Sequence, residues 1–347
     1  MKEAAAPRIC IFGAGSIGCL IGGLLSPTAA VVLIGRAAIR DELAAHGLTL
    51  TSWQGEALRL SPDQLRFATE ASAAAAADLV LVTVKSGATA EAGRQLAAVL
   101  APSALVISLQ NGIANAERLR QLLPRHLVLA GMVPFNVVHR GEGVFRRATE
   151  GELMVEEHRA IERFAPFFAR VGLPLARCRD MVAVQWGKLL LNLNNGVNAL
   201  SGLPLKEELA QRDYRRCLAA LQREALRVLA AAHIRPARLT PLPPRLVPPL
   251  LELPDALFTR LASRMRAIDP LARSSTYEDL AAGRRTEVDY INGEIVRLAD
   301  RLGLEVPANA RIIDLIRAAE AGERRRIPGA ELLAELRHLR RRDAGSS

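Results

Sequence analysis

Arg8-Ile9-Cys10-Ile11-Phe12-Gly13-Ala14-Gly15-Ser16-Ile17-Gly18 decides how the first half of this chain is read. A β-rich apolar run begins at Arg8, a glycine-rich turn follows it directly, and the turn opens into a helix. The glycines allow a tight turn, close approach of the backbone to a pyrophosphate, and close packing of helix on strand. The helix N-terminus adds N–H groups and a positive dipole. A Gly-x-Gly-x-x-Gly turn alone also occurs in proteins that bind nothing there. Here it heads an alternating pattern, with further apolar runs at 31–34, 79–84, 105–108 and 127–133 separated by helix-length stretches. Such alternation predicts a parallel sheet with helices on both faces. Gly13, Ala14, Gly15, Ser16, Ile17 and Gly18 are therefore the expected dinucleotide-binding turn.

The second run ends Val31-Val32-Leu33-Ile34-Gly35-Arg36, with Arg40 one turn further on. A dinucleotide with free ribose hydroxyls usually meets Asp or Glu at this position. A 2′-phosphate would be repelled by a carboxylate and is paired by a guanidinium through two hydrogen bonds. Arg36 thus points to NADPH; the alternative is an ordinary surface arginine in an arginine-rich chain.

The length of 347 residues suits about two domains, read here as 1–180 and 181–340. From about residue 182 the strand signals stop and long 3.6-period stretches such as 214–232 and 288–302 take over, which predicts an all-helical second domain. Residues 71–77 read as an alanine helix leading into a strand. The proline-rich stretch 235–250 is expected to be an irregular connector, because interior prolines remove donors and clash with the preceding turn. Glu331 to Leu339, flanked by Arg324-Arg325-Arg326 and Arg340-Arg341-Arg342, reads as a solvated amphipathic surface helix.

The net charge of +10 fits a field that attracts an anionic small molecule. Nucleic acid is disfavoured because the arginines are spread along the chain, aromatics are few and no base-reading motif is present. Cys10, Cys19, Cys178 and Cys217 have neither metal-ligand spacing nor a Cys-x-x-Cys pair, so no metal and no disulfide framework is expected. The first residues are too short and polar for a signal peptide, and no run of about 18 apolar residues could span a bilayer. These features predict a cytoplasmic protein with no membrane partner and are compatible with a homodimer.

Only Lys2, Lys85, Lys188 and Lys206 are lysines among 46 basic residues, so arginine serves almost wherever a plain charge would do. Lysine differs in that a desolvated ammonium can release and regain a proton near neutrality. Lys188 stands in Trp186-Gly187-Lys188-Leu189-Leu190-Leu191-Asn192, and helical spacings of four and seven put Asn192 and Asn195 on its stripe. Lys85 and Gln110-Asn111-Gly112 fall at the C-terminal ends of expected parallel strands, where open α/β sheets hold ligands, and would border the nicotinamide ribose. A third set comprises Ser274-Ser275 with Asp279 and the run from Arg284 through Glu287 to Gly293. Ser274-Ser275 can equally be a helix cap.

In this order, the glycine turn, Thr83-Val84-Lys85, Gln110-Asn111-Gly112, Trp186-Gly187-Lys188 with Asn192, Ser274-Ser275 with Asp279, and Arg285-Thr286-Glu287-Val288-Asp289-Tyr290-Ile291-Asn292-Gly293 resemble the ketopantoate reductase family. The likeness runs from Arg8 to about Ile316. It implies a Rossmann doubly wound domain followed by an all-α domain like that of 6-phosphogluconate dehydrogenase. It also implies NADPH-dependent reduction of 2-dehydropantoate, the 2-oxo acid of pantothenate and coenzyme A synthesis, with substrate and nicotinamide meeting between the domains. On the family pattern Lys188 is the proton donor, Asn192 and Ser275 bind substrate, and Glu287 is a carboxylate near cofactor and substrate. Lys85 and Asn111 become cofactor contacts. Gly196 departs from the pattern, which often has a further asparagine there; Asn195 or Asn198 is the expected stand-in. A reductase of another 2-oxo acid and a dinucleotide sensor without catalysis are the alternatives.

Overall fold

The computed structural model describes residues 6–52, 55, 57–261, 272–323 and 325–338. Arg324 and the basic run Arg340-Arg341-Arg342 lie outside them. The chain divides into two compact units, Met1–Met181 and Val182–Ser347.

Among the described residues of the first unit, twelve strands form two sheets: β1 (Arg8–Phe12), β2 (Ala30–Ile34), β3 (Leu48–Ser52), β4 (Ala57–Leu60), β5 (Phe67–Ala68), β6 (Leu79–Val82), β7 (Leu105–Ser108), β8 (Leu127–Met132), β9 (Val137–Gly141), β10 (Val144–Arg147), β11 (Leu153–Glu156) and β12 (Leu175–Cys178). The main sheet has the order β12-β11-β8-β7-β6-β1-β2-β5. It is parallel except where β11 pairs antiparallel with β8. Strand order reverses between β1 and β6, so this is a doubly wound Rossmann sheet whose ligand crevice belongs at the C-terminal ends of those two strands. The period-2 geometry of β1 and β6 builds a core on each face. Ile9, Ile11, Leu79 and Leu81 face one side with Cys19, Leu20 and Leu25 of the helix Ser16–Leu25. Cys10, Phe12, Val80 and Val82 face the other with Ala92 and Leu96 of the helix Thr89–Val99.

Several local expectations are corrected. Only Ala71–Ala74 of the alanine stretch is helical, as a single 3₁₀ turn. A second sheet of order β4-β3-β10-β9 also forms, which the reading of the continuous apolar runs does not include.

The second unit is helical among its described residues. Its central helix, Arg212–Ala231, buries Tyr214, Leu218, Leu221, Ala225 and Val228 along one face. Arg215 on the same helix is fully buried. Its guanidinium donates to the carbonyls of Leu209, Leu251 and Leu253, ion-pairs with Asp255 and lies 4.1 Å above the Phe258 ring. Glu224 accepts from the N–H groups of Ala308 and Asn309 and so caps the helix Pro307–Glu320 from inside the core.

Two expectations differ here as well. The proline stretch contains the 3₁₀ turn Pro244–Leu246 and the short helix Val247–Leu251, because Pro248 and Pro249 occupy a first turn whose N–H groups need no intrahelical acceptor. The C-terminal helix, Gly329–His338, is no surface appendage: Leu332, Leu333 and Leu336 are buried. Among the described residues no helix is long and apolar enough to cross a membrane, and no group of three or more His, Cys, Asp or Glu is placed to hold a metal.

Candidate active site

The glycine turn closes by hydrogen bonds. Ile34 at the end of β2 accepts from the N–H groups of Gly13 and Ala14 at 2.9 and 2.8 Å, and Gly13 accepts the Thr83 hydroxyl at 2.7 Å. The turn is thus tied to the ends of both strands that flank β1. The close approaches explain the glycines. Gly13 has φ +119°, and a Cβ there would sit 2.4 Å from the Val84 nitrogen; at Gly18 it would sit 2.3 Å from the Gly13 oxygen. Gly15 differs, since a Cβ there would meet nothing within 4 Å. It is an exposed gap at the mouth of the helix Ser16–Leu25, which has no side-chain cap. The first turn of that helix therefore offers N–H groups to an anion.

Gly35 lets the end of β2 touch the turn, since a Cβ there would come 2.8 Å from that of Ala14. Arg36 follows as an exposed residue at the N-cap of the helix Ala37–His46. Arg40 is engaged with neighbouring Asp41 at 2.8 Å, an exposed pair.

After β6 and β7, a buried polar network shapes the segments that carry Lys85 and Asn111. Gln110 donates to the Thr89 hydroxyl and accepts from Ser108; Thr89 donates to Asn115 at 2.7 Å. Asn115 donates to Ser86 and to the Asn111 carbonyl, which also accepts the Ser86 hydroxyl at 2.8 Å. Gln110 is thereby a buried framework residue, its carboxamide engaged by Ser108 and Thr89. Lys85 is exposed, and Asn111 is partly so. The sequence does not single out Ser86, Thr89 and Asn115 as positioning residues, and marks Thr83 only within Thr83-Val84-Lys85; their signal is polar side chains in segments that follow apolar strands.

In the second unit Lys188 lies on the helix Met181–Asn192. Part of its side chain reaches solvent, yet burial of the ammonium brings its pKa from 10.5 down to about 8. Asn192, one turn on, is buried. A second helix, Asn194–Ser201, starts after Leu193, which itself keeps right-handed helical dihedrals, and Asn195 belongs to that second helix. The back of the lysine helix is clasped by the connector, where Ala237 donates to the Ala183 carbonyl at 2.8 Å. A Cβ on Gly187 would come 2.6 Å from the Ala237 oxygen, so glycine beside the lysine permits that contact.

The two serines separate cleanly. Ser274 is buried, caps the helix Ser275–Ala281 by accepting from Tyr277, and donates to the Asn195 carbonyl at 3.0 Å. Ser275 is exposed at the first position of that helix. Glu287 is buried at the N-cap of the helix Val288–Arg301, and Asp279 is paired with Arg284 at 3.1 Å. Gly196 packs against Ile312, whose Cγ1 would lie 3.3 Å from a Cβ there. Asn198 is no stand-in for it, because its carboxamide is committed to Leu203, Glu208 and Ser274.

The chain matches two models of one family: ketopantoate reductase PanE/ApbA over residues 9–160 and its C-terminal region over residues 180–320. A 2-dehydropantoate 2-reductase of Halobacterium salinarum is 29% identical over 323 residues, covering 90% of this chain and 99% of that protein. The crystal structure of a PanE/ApbA family ketopantoate reductase from Ralstonia eutropha JMP134 superimposes with a TM-score of 0.77 at 32% identity, covering 92% of this chain and all of the other. A D-mandelate dehydrogenase complexed with NADH and anilino(oxo)acetate shares the fold, with a TM-score of 0.75 at 20% identity over 91% of this chain and 99% of that one. With the glycine turn, the lysine helix and the Glu287 segment lying inside the matched regions, the chain belongs to the ketopantoate reductase family.

Proposed function

We propose that this chain reduces 2-dehydropantoate to pantoate with NADPH. The observation that carries the reading is Lys188, a lysine in an arginine-rich chain, desolvated to a pKa of about 8 beside Asn192. At pH 7 such an ammonium is still mostly protonated, but it gives up its proton far more readily than an exposed lysine or any arginine. The family relationship supplies the substrate class.

The first unit fits a dinucleotide: the Gly15 gap and the uncapped helix suit a pyrophosphate, and Arg36 suits a 2′-phosphate. Lys85 and Asn111 are assigned to the cofactor as well. Once bound, the nicotinamide supplies hydride to the ketone carbon of the acid. Lys188 stabilises the negative charge that grows on the ketone oxygen and delivers the proton that completes the alcohol. It recovers its proton from solvent. Asn192, Asn195 and Ser275 are assigned to the substrate's polar groups, and Glu287 to the ammonium, the substrate or the cofactor hydroxyls. We place this activity in the cytoplasm, on the pantothenate and coenzyme A route.

Oxidation of NADPH by purified protein, followed optically with 2-dehydropantoate beside pyruvate and 2-oxoisovalerate, tests the assignment. Selective turnover of 2-dehydropantoate is expected; faster turnover of either other acid would move the chain to a different 2-oxo acid.

Lys188→Ala and Lys188→Arg are both expected to lower turnover by ~10²–10⁴-fold, with NADPH affinity intact by fluorescence titration. Near-normal turnover of the arginine variant would show that charge alone suffices and would remove the proton-donor role.

Arg36→Asp is expected to abolish the preference for NADPH over NADH in kcat/KM. An unchanged ratio would assign the 2′-phosphate to another group.

A further inference from the structure

One buried carboxyl takes no part in this chemistry. Glu208 is fully buried on the short helix Leu205–Ala210. Its Oε2 accepts from the carboxamides of Asn194 and Asn198 at 3.1 and 2.9 Å. Its other oxygen, Oε1, has no hydrogen-bond partner among the described residues, and neither has Oδ1 of Asn194. These two orphaned atoms belong to the same two side chains that Asn194 Nδ2 and Glu208 Oε2 already join. Both are acceptors when the carboxyl is ionised, so they cannot satisfy each other. A single proton on Oε1 removes the conflict: it donates to Asn194 Oδ1 and closes a two-bond acid–amide ring.

The ring is connected onward. Asn198, whose carboxamide also binds Glu208, donates to the Leu203 carbonyl, and its Oδ1 accepts the N–H of Ser274 at 2.9 Å. Ser274 is the cap of the helix that begins at Ser275. We infer that Glu208 is a protonated carboxylic acid in the native protein, paired with Asn194 in a closed ring and acting through Asn198 as a positioning residue for Ser275. The Ser275 limb rests on the function proposed above; the acid–amide ring does not.

The surroundings favour the neutral acid. The ionisable groups facing it from the helix Arg212–Ala231 are Tyr214 and Cys217, both themselves pushed up, first by burial, and in part by the Glu208 charge. Asp213 adds a like charge to Cys217, opposed there by Arg337 and Arg216, and Arg326 acts on Tyr214, but no cation is paired with Glu208 among the described residues. Arg215 spends a donor on the Leu209 carbonyl, next to Glu208, and makes no ion pair with it. Burial accordingly raises the Glu208 carboxyl from 4.5 to about 8, against the lowering effect of the two asparagines.

The linkage has a definite sign. A carboxyl that holds its proton in the folded state and loses it near pH 4.5 when unfolded adds stability in full below that pH. The contribution falls by about tenfold in the folding equilibrium per pH unit between the unfolded and folded values and is gone above about 8. Glu208→Gln supplies a permanent donor in the same shape and cannot titrate.

Three readouts test the inference. In wild-type protein labelled with ¹³C at glutamate carboxyls, one resonance should titrate near pH 8 and be missing from the Glu208→Gln spectrum; titration of every carboxyl in the acid range overturns the ring. In urea unfolding between pH 5 and 9, wild type should lose stability relative to Glu208→Gln, and parallel curves overturn it too. If the glutamine variant does not fold, the wild-type spectrum decides alone. Lastly, KM for 2-dehydropantoate should rise more steeply above pH 8 in wild type than in Glu208→Gln, with NADPH binding unaffected. Lys188 titrates alike in both proteins, so the difference isolates Glu208. Equal KM profiles would remove the Ser275 limb and leave the ring to the first two readouts, whereas absence of any turnover would instead defeat the proposed function.

Discussion

Taking polar groups out of water is the constraint on which this structure depends. A buried donor or acceptor without a partner costs about 1–3 kcal/mol, so each one the fold encloses dictates where its neighbours go. In the first unit, Thr89, Asn115, Gln110 and Ser86 satisfy one another and thereby shape the segments bearing Lys85 and Asn111. In the second unit, Arg215 gathers three carbonyls and Glu224 caps a helix from the core. The same desolvation that makes these groups structural changes the acid–base character of two others: Lys188 is brought down and Glu208 up, each to about 8.

Close backbone approach is the second theme, and it concentrates where chemistry is proposed. Gly13 and Gly18 lock the turn between β1 and the end of β6, and Gly35 brings the end of β2 against it. Gly187 lets the connector lie along the lysine helix. Of the three glycines of the turn, Gly15 alone faces open space, which is the property expected of a glycine that makes room for a ligand.

Much of this was legible in the sequence because it rests on local rules. The five apolar runs read from the sequence are β1, β2, β6, β7 and β8 of the main sheet, and their alternation with helical stretches is what predicts parallel pairing. The glycine turn stands out by its place directly after the first strand, Lys188 and Asn192 by their residue types in an apolar stretch, and Glu287 by the resemblance of its segment to the family. What was not legible depended on tertiary partners. Nothing in Gln110 distinguishes a ligand contact from a framework residue until Thr89 and Ser108 are seen on either side of it. Asn198 looked like a substitute for the asparagine missing at Gly196, but its carboxamide is consumed by Glu208, Leu203 and Ser274. The Gly329–His338 helix read as solvated because its arginine flanks masked a leucine face that the core accepts.

The account turns on the proton held by Lys188, and the most direct measurement is a titration of that one amine. Lysine labelled with ¹⁵N at the side-chain nitrogen gives few signals in a chain with four lysines, and Lys188→Arg assigns the one of interest. A midpoint near 8 is expected for Lys188. A Lys188 midpoint at the ordinary 10.5 would contradict it, since the ammonium would then be solvated and no better a proton donor than any surface lysine.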